Sequence, residues 1–372
     1  KSNKKWGSKD RGFIAETCYE IVRWKRLYTE IANVKHPFDS KKFWKIFAVW
    51  AVLRGIALPE WKELENTPKR KIKGKFDELS KIRRFRESIP DWLDALGSNE
   101  LGESIWEKEL SELNKIAPLV IRSNTLKVTV HELQSILKDE GVESKKINGY
   151  PNALLIKKRC NLFQKESFKR GFFELQDASS QLVSHFLEVN PEMRVCDVCA
   201  GAGGKTLHIS ALMKNKGKIV AMDINKFKLN ELRKRSNRNG AFNIQTKLIL
   251  GPKSIKKMKG KFDRLLIDAP CSGLGVLKRN PDSKWKLNLE FISSIRKTQS
   301  ELLKNYSTLL KKGGKLVYAT CSILPSENEI QIKHFLDSKE GKKFNLEDEK
   351  KINPSNGFDG FYMARLASKP TC

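Results

Sequence analysis

The stretch from Arg194 to Thr206 reads RVCDVCAGAGGKT and decides how the second half of the chain is expected to fold. RVCDV is a short apolar run, typical of a buried strand. Gly201, Gly203 and Gly204 follow it, and glycines permit a tight turn and a close approach of the backbone to another group. The next residues have a helical pattern, so a strand, a glycine loop and a helix N-terminus are predicted to meet here.

Regular alternation of strands and helices continues from this stretch. Further apolar runs are KIVAMDIN, IQTKLIL, FDRLLIDAP and KLVYATCS, and amphipathic segments such as KFKLNELRKRSNRNG lie between them. Near-continuous apolar strands separated by helices predict a mostly parallel sheet that is covered on both faces. We therefore expect an α/β fold, with a Rossmann-like, doubly wound catalytic domain over residues 176–372.

Two smaller regions precede this domain. Residues 1–90 have apolar positions at helical intervals and predict a helical N-terminal region. Residues 91–175 contain predicted strands in PLVIRSN, ALLIKKRC and GFFELQD and a helix in TVHELQSILKDEG. This mixture predicts a small α/β subdomain, which is either an RNA-binding platform or a linker packed against the catalytic domain.

The composition favours a polyanionic partner. The chain has 72 basic and 43 acidic residues and a net charge of +29, which favours nucleic acid, although generic surface lysines are the alternative. Its seven cysteines lack a paired zinc-binding spacing, which indicates free thiols in a reducing cytoplasm and no metal site. The apolar runs are shorter than the roughly 18 residues of a membrane span, so we expect no membrane association.

The glycine loop does not match two known phosphate-binding patterns. A Walker A loop would require glycine where the chain has Cys199, and a dinucleotide fingerprint would require glycine where it has Thr206. Asp223 ends the next predicted strand, about 20 residues on, where an acidic residue can bind ribose hydroxyls. These features indicate an NAD-like cofactor or S-adenosylmethionine, with a purely structural turn as the alternative.

Cysteines follow two of the predicted strands, in RLLIDAPCSG and in KLVYATCS. Buried packing is the ordinary role of cysteine, but Asp268 beside Cys271 would be costly at a strand end without a partner. A thiolate that adds to carbon 6 of a pyrimidine makes carbon 5 nucleophilic toward a methyl group, and a nearby acid and base complete that reaction. This chemistry gives a role to Cys271, Cys321 and Asp268 together, which hydride transfer by a nicotinamide oxidoreductase would not.

With these motifs the chain resembles the Sun/RsmB-type RNA cytosine-5 methyltransferases. The resemblance is carried by DVCAGAGGKT, VAMDIN, FDRLLIDAPCSGLGVLKRNPDSKW, GGKLVYATCSILPSENE and GFDGFYMARL. It is strong over about residues 170–372 and loose over 90–170. It implies S-adenosylmethionine as cofactor, RNA as substrate with small-subunit ribosomal RNA expected, a monomer, and a NusB-like RNA-associating domain at the N-terminus.

The resemblance also implies roles for individual residues. Cys321 is expected to be the nucleophile, Cys271 to help release the product and Asp268 to contact the cytosine, while Glu327 and Asn328 hold the loop behind Cys321. The expected cofactor-binding residues are Cys199, Ala200, Gly201, Ala202, Gly203, Gly204, Lys205, Asp223 and Asp268. Arg122 is an expected RNA contact because it is one of the basic residues of the small α/β subdomain, and Lys278 and Arg279 are expected contacts in KRNPDSKW, where a salt-bridged loop is the alternative for Arg279.

Two departures from the family pattern bear on function. Ala202 replaces a proline, and Gly251, Pro252 and Lys253 stand where an acidic residue commonly follows the third strand. The second departure leaves open a catalytically weak RNA-binding factor in ribosome assembly. Transfer RNA in place of ribosomal RNA is a further alternative for the substrate.

Overall fold

The computed structural model describes residues 5–251 and 253–370. The chain divides into two compact units: Lys1–Lys115 with Leu277–Asn288, and Ile116–Val276 with Leu289–Cys372. Within the described part of the chain, no helix is both long and apolar enough to cross a membrane.

The helices and strands are numbered in chain order. The α-helices are α1 (Ser8–Arg23), α2 (Lys25–Ile31), α3 (Ser40–Leu53), α4 (Lys69–Leu79), α5 (Arg83–Arg86), α6 (Asp91–Leu101), α7 (Glu103–Leu113), α8 (Val130–Asp139), α9 (Glu166–Lys169), α10 (Ala178–Phe186), α11 (Gly204–Leu212), α12 (Lys226–Asn239), α13 (Lys253–Lys256), α14 (Ser283–Lys286), α15 (Leu289–Ser307) and α16 (Glu329–Asp337). The strands are β1 (Leu119–Ser123), β2 (Ser144–Lys146), β3 (Ala153–Ile156), β4 (Phe173–Leu175), β5 (Arg194–Asp197), β6 (Lys218–Asp223), β7 (Ile244–Leu248), β8 (Phe262–Asp268), β9 (Leu310–Thr320), β10 (Phe344–Ile352) and β11 (Phe361–Ser368).

The first unit is helical, as predicted for the N-terminal region. The apolar faces of α2, α3 and α4 meet in one core, which contains Leu27, Ile31, Val49, Trp50 and Ile72. This unit also contains α6, α7 and, from the later segment 277–288, α14. The predicted boundary at residue 90 therefore does not coincide with the boundary between the compact units, because α6 and α7 group with the N-terminal helices and not with the following subdomain. The Trp285 indole of α14 donates a hydrogen bond to the Val22 carbonyl at 2.7 Å.

The second unit begins with the predicted small α/β subdomain. Its strands are antiparallel in the order β2-β3-β1-β4, with α8 between β1 and β2 and α9 before β4. This β-α-β-β-α-β arrangement is ferredoxin-like. Helix α8 begins with a capping box, in which Thr129 and Glu132 each accept a hydrogen bond from the backbone N–H of the other.

A buried carboxylate attaches this subdomain to α12. The Glu174 side chain of β4 is 4% exposed and forms ion pairs with Arg235 and Arg238. It also accepts a hydrogen bond from Asn239. Burial would raise the pKa of Glu174, but the two guanidinium groups and these hydrogen bonds lower it overall. The carboxylate therefore stays charged and fixes the subdomain to the larger sheet.

Seven strands of the described residues form the larger sheet, in the order β10-β11-β9-β8-β5-β6-β7. β5 to β9 run parallel, whereas β11 is antiparallel to both β9 and β10. The order of strands reverses between β5 and β8, which is the switch point where such sheets bind ligands. The predicted Rossmann-like sheet is confirmed.

Helices cover both faces of this sheet. Along β5, Val195 belongs to an apolar cluster with residues of α10 and α11, and the next residue, Cys196, belongs to a cluster with residues of α15 and α16. This alternation is the period of two that a strand requires when both of its faces are buried. The parallel strands thereby end together at one edge of the sheet.

Candidate active site

The glycine loop after β5 is shaped for close approach to its backbone. Gly203 has a φ of +87°, and an added Cβ would lie 2.5 Å from Leu232 Cγ, so no larger residue fits there. A Cβ on Gly201 or Gly204 would meet no atom within 4 Å. The loop is therefore packed on one side and open on the other, as a ligand-binding turn requires.

Asp223, at the end of β6, is held against this loop. Its carboxylate accepts the Gly201 N–H at 2.8 Å and the Asn225 N–H at 2.7 Å. The predicted residues Gly201 and Asp223 are thus brought together. The exposed apolar side chains of Ile224 and Leu250 follow β6 and β7. Of the residues that replace the acid expected after β7, Pro252 lies outside the described part of the chain.

Asp197 ends β5 and was not among the predicted site residues. It is 1% exposed, and Oδ2 accepts the Thr206 hydroxyl at 2.7 Å. Oδ1 is buried without a hydrogen-bond partner among the described residues. Burial, assisted by the nearby charge of Asp268, raises the pKa of Asp197 to about 7. A buried acceptor that lacks a partner beside an open glycine loop suits a cationic or hydrogen-bonding group of a ligand.

Lys205 and Asp268 form an ion pair across the switch point. Lys205 Nζ lies 2.7 Å from Asp268 Oδ2, and the two side chains are 11% and 29% exposed. Burial alone would lower the pKa of Lys205, but the charge and hydrogen bond of Asp268 raise it overall. Lys205 therefore stays protonated, and the Asp268 side chain remains partly accessible to a molecule at the sheet edge.

The two predicted cysteines meet beyond the ends of neighbouring strands. Cys271 follows β8 and Cys321 follows β9, and their sulfur atoms lie 3.4 Å apart. The hydrogen bond with Cys321 and burial raise the pKa of Cys271 well above its usual value. Cys271 therefore keeps its proton and can donate it toward the sulfur of Cys321.

Glu327 joins the two cysteine loops. It is fully buried, and its carboxylate accepts the Ser272 N–H at 2.8 Å and the hydroxyls of Ser272 and Ser322 at 2.5 and 2.6 Å. Gln299 of α15 donates a fourth hydrogen bond at 3.0 Å. Each serine directly follows one of the cysteines, so one carboxylate fixes both loops. The expected holding role is thus seen at Glu327, whereas the serines and Gln299 were missed.

Asn328 completes the loop after β9. Its side-chain amide donates to the Ser322 carbonyl at 3.0 Å and accepts the Thr320 hydroxyl at 2.5 Å. These two residues flank Cys321, so the backbone that carries this cysteine is tied on both sides.

Gly275 and Gly360 pack against each other on the side of the Cys321 backbone. The Gly275 N–H donates to the Cys321 carbonyl at 2.9 Å, and the Gly360 N–H donates to the Gly275 carbonyl at 2.8 Å. A Cβ on Gly275 would lie 2.3 Å from the Gly360 oxygen and 2.8 Å from the Cys321 oxygen. The GFDGFYMARL segment of the sequence therefore packs directly behind the cysteines.

Two of the three expected RNA contacts are buried. Arg122 is 1% exposed, and its guanidinium donates to the Gly204 carbonyl at 2.6 Å, while burial lowers its pKa to about 9. Lys278 is 4% exposed in the first unit, with Nζ 3.9 Å from Glu112. Neither side chain reaches a phosphate from these positions, so we do not propose them as RNA contacts. Arg279 is half-buried, and its RNA contact stays a prediction.

A Rossmann-like sheet with an open glycine loop, an acidic residue at the end of the next strand and polar groups at the switch point defines a domain that binds a nucleoside-containing cofactor. The family model described as 16S rRNA methyltransferase RsmB/F matches residues 184–367. A second model, the ferredoxin-like domain of RsmF/B-like methyltransferases, matches residues 89–163. The chain belongs to this RsmB/F family, which confirms the resemblance and identifies S-adenosylmethionine as the cofactor.

Individual relatives agree with this assignment. The chain is 36% identical over 255 residues to a probable ribosomal RNA small subunit methyltransferase B of Synechocystis, covering 68% of this chain and 57% of the relative. It is 31% identical over 319 residues to the ribosomal RNA small subunit methyltransferase B of Proteus mirabilis, covering 84% and 74%. The crystal structure of the protein PH0851 superposes with a TM-score of 0.83 at 27% identity, covering 98% of this chain and 91% of that one. The chain thus spans little more than half of the Synechocystis relative and about three quarters of the Proteus relative.

Proposed function

We propose that the protein transfers a methyl group from S-adenosylmethionine to carbon 5 of a cytosine in RNA, through a covalent bond between Cys321 and carbon 6 of the base. The observation that carries this proposal is the pair of thiols 3.4 Å apart, one beyond the end of β8 and one beyond the end of the neighbouring strand β9. The names of the relatives favour small-subunit ribosomal RNA as the substrate.

The residues around the glycine loop fit the cofactor. The open backbone at Gly201 and Gly204 would face the methionine moiety, and the unpartnered Oδ1 of Asp197 would accept a hydrogen bond from its ammonium group. Asp223 would bind the ribose hydroxyls, and exposed Ile224 offers an apolar surface to the adenine. When bound, S-adenosylmethionine supplies the electrophilic methyl group.

Cys321 is proposed as the nucleophile because it is the cysteine to which the family resemblance gives this role, and two potential proton donors lie near its sulfur. Cys271 can donate its S–H to the sulfur of Cys321, and Lys205 lies close enough for the two charges to interact. The thiolate forms a bond to carbon 6 of the cytosine, and the electron pair of the 5,6 double bond moves to carbon 5. Carbon 5 is then the nucleophile for the methyl group, and cleavage of the methyl–sulfur bond would leave S-adenosylhomocysteine.

Asp268 is proposed to contact the cytosine ring at nitrogen 3. Addition at carbon 6 increases the negative charge on this nitrogen, and a proton held by the Lys205–Asp268 pair can neutralise it. The partial exposure of Asp268 leaves its carboxylate accessible to the base. The base has to leave its stack to reach this position, which is easier in single-stranded RNA.

Cys271 is proposed to release the product. Two thiols in contact cannot both ionise easily, because each thiolate disfavours the other. Once Cys321 is bonded to carbon 6 it carries no charge, so Cys271 can lose its proton to solvent. The Cys271 thiolate then removes the proton from carbon 5, the double bond re-forms, and the bond from Cys321 to carbon 6 breaks. Nitrogen 3 returns its proton to the Lys205–Asp268 pair in the same step.

The experiment that tests this function is methyl transfer to RNA followed by mass spectrometry of the nucleosides. Wild-type protein, S-adenosylmethionine and a small-subunit ribosomal RNA transcript should give 5-methylcytidine, and a transfer RNA transcript should not. A methylated product at another base or position would contradict the proposal. No transfer, together with no calorimetric binding of S-adenosylmethionine at millimolar concentration, would favour an RNA-binding assembly factor instead.

A further inference from the structure

The helical first unit contains a cavity that the catalytic proposal does not use. It has a volume of about 510 Å³ and lies between α2, α3, α4 and the segment that precedes α4. Ala48, Val49 and Ile72 form part of its apolar floor. This volume lies within the range of roughly 300–1,000 Å³ that small-molecule sites occupy, and it is large enough for a nucleotide.

The wall of the cavity is strongly basic. It contains the side chains of Lys45, Lys62, Lys71 and Lys75, and the acidic residue in the described wall is Glu63. None of these four lysines forms an ion pair with a described residue. Like charges around one cavity repel each other, so an anion bound between them would be stabilised by all four.

An exposed aromatic ring stands next to this wall. Trp61 directly precedes Lys62 and is 50% exposed, and its ring packs edge-on against Trp44 with 5.5 Å between the centroids. Single-stranded nucleic acids bind to surfaces that combine cations for the phosphates with aromatic faces on which bases stack. The cavity and Trp61 provide both features within a few residues of each other.

We infer that this cavity binds single-stranded RNA, with a phosphate and its nucleoside between the four lysines and an adjacent base on Trp61. The inference rests on the proposed function only in taking RNA as the substrate. An acidic protein segment would also satisfy the lysines, but it would leave the apolar floor and the exposed indole without a role. The net charge of +29 further favours a nucleic acid.

The test compares two double variants of α4, each of which reverses two positive charges, one pair on the cavity-lining face of the helix and the other pair outside it. Lys71 and Lys75 lie one turn apart on α4 and line the cavity, whereas Arg70 and Lys73 are exposed on α4 outside the cavity wall. The double variants K71E/K75E and R70E/K73E change the net charge equally. Fluorescence anisotropy with a labelled single-stranded RNA of small-subunit ribosomal sequence would measure affinity over a range of salt concentrations.

The cavity variant should lose two phosphate contacts. For single strands each contact contributes about 0.7 to the slope of log affinity against log salt, so the slope should fall by ~1.4 and the affinity at 0.1 M salt by about 25-fold. The control R70E/K73E should show a much smaller change. Trp61→Ala should weaken binding roughly tenfold with an unchanged slope, because stacking releases no counterions.

The inference would be overturned if K71E/K75E bound the RNA with wild-type affinity, or if R70E/K73E lost as much affinity as K71E/K75E. The cavity would then be a candidate site for another polyanion, such as an acidic protein. Circular dichroism should show that each variant is folded, and Lys45→Glu provides a second cavity variant on α3 if the double variant is not. If the wild-type protein transfers no methyl group, the proposed function fails, but the affinity comparison still decides the role of the cavity.

Discussion

Replacing Glu327 by alanine is expected to disorganise both cysteine loops without changing either thiol. The buried carboxylate accepts four hydrogen bonds, two of them from Ser272 and one each from Ser322 and Gln299. These donors come from three separate segments of the chain. The side chain therefore sets the distance between the loop after β8 and the loop after β9.

The cost can be worked out from the partners that would remain. The hydroxyls of Ser272 and Ser322 lie 3.1 Å apart and could bond to each other, and Gln299 would still donate to the Pro270 carbonyl at 3.0 Å. The Ser272 N–H and one hydroxyl hydrogen would be left without an acceptor. Each unsatisfied buried group costs about 1–3 kcal/mol, so Glu327→Ala should lower the free energy of unfolding by about 2–6 kcal/mol.

Glutamine should rescue most of this loss. Its amide oxygen can accept the Ser272 N–H and the Gln299 side chain, while its NH₂ group donates to the two serine hydroxyls, which can also act as acceptors. Neutral hydrogen bonds replace charge-assisted ones, which are roughly twice as strong. We therefore expect Glu327→Gln to lose about 1–2 kcal/mol.

Urea unfolding and steady-state methyl transfer would measure the two effects. A displacement of about 1 Å at reacting groups can cost 100-fold in rate, so kcat of Glu327→Ala should fall by about that factor. The KM for S-adenosylmethionine should stay the same, because the glycine loop follows β5. Unchanged kcat in a folded Glu327→Ala variant would refute the positioning role, and a stable but inactive Glu327→Gln would show that the charge itself is required.

Three further variants test neighbouring parts of the account. Gly275→Ala would place a Cβ 2.8 Å from the Cys321 oxygen and should cost about 1–3 kcal/mol and most of the methyl transfer, whereas Gly74→Ala, with open space around its Cβ, should leave transfer unchanged. Glu174→Ala should destabilise the protein by about 3–5 kcal/mol at neutral pH; because its folded pKa is lowered, this difference should shrink as the pH falls below 4.5 in urea titrations. Asp197 has a folded pKa raised from 3.8 to about 7, so its contribution to stability is full below pH 3.8 and is lost as the pH rises to about 7. Asp197→Asn should remove up to about 4 kcal/mol of this pH dependence, and an unchanged unfolding profile between pH 4 and 7 would contradict the raised pKa.

The fold could be predicted because its signals are local. Apolar strands alternating with helices define a parallel sheet without knowledge of any partner, and the glycine loop after β5 marks the ligand-binding edge. Cys271 and Cys321 each follow a strand that was predicted to belong to the same parallel sheet. Because parallel strands end at one edge, the sequence also predicted that the two cysteines lie near each other there. Only the adjacency of β8 and β9 was needed to bring the sulfur atoms together.

What could not be predicted depends on partners far apart in the chain. Arg122 was an RNA-contact candidate because it is a basic residue in the small subdomain, but its burial against the Gly204 carbonyl appears only in the folded protein. Glu327 receives two bonds from Ser272, which lies 55 residues away. A hydrogen bond between residues so far apart cannot be predicted from local sequence. The cavity in the first unit likewise forms only when α2, α3, α4 and the segment before α4 come together, and its four lysines are indistinguishable from ordinary surface charge in the sequence.

The central claim is that Cys321 attacks the base and Cys271 releases it. The most direct measurement is denaturing electrophoresis of Cys271→Ala and Cys321→Ala after incubation with S-adenosylmethionine and the RNA substrate. Cys271→Ala should accumulate a covalent protein–RNA adduct, because carbon 5 keeps its proton, and Cys321→Ala should form none. An adduct in Cys321→Ala, with none in Cys271→Ala, would reverse the two roles and contradict the account.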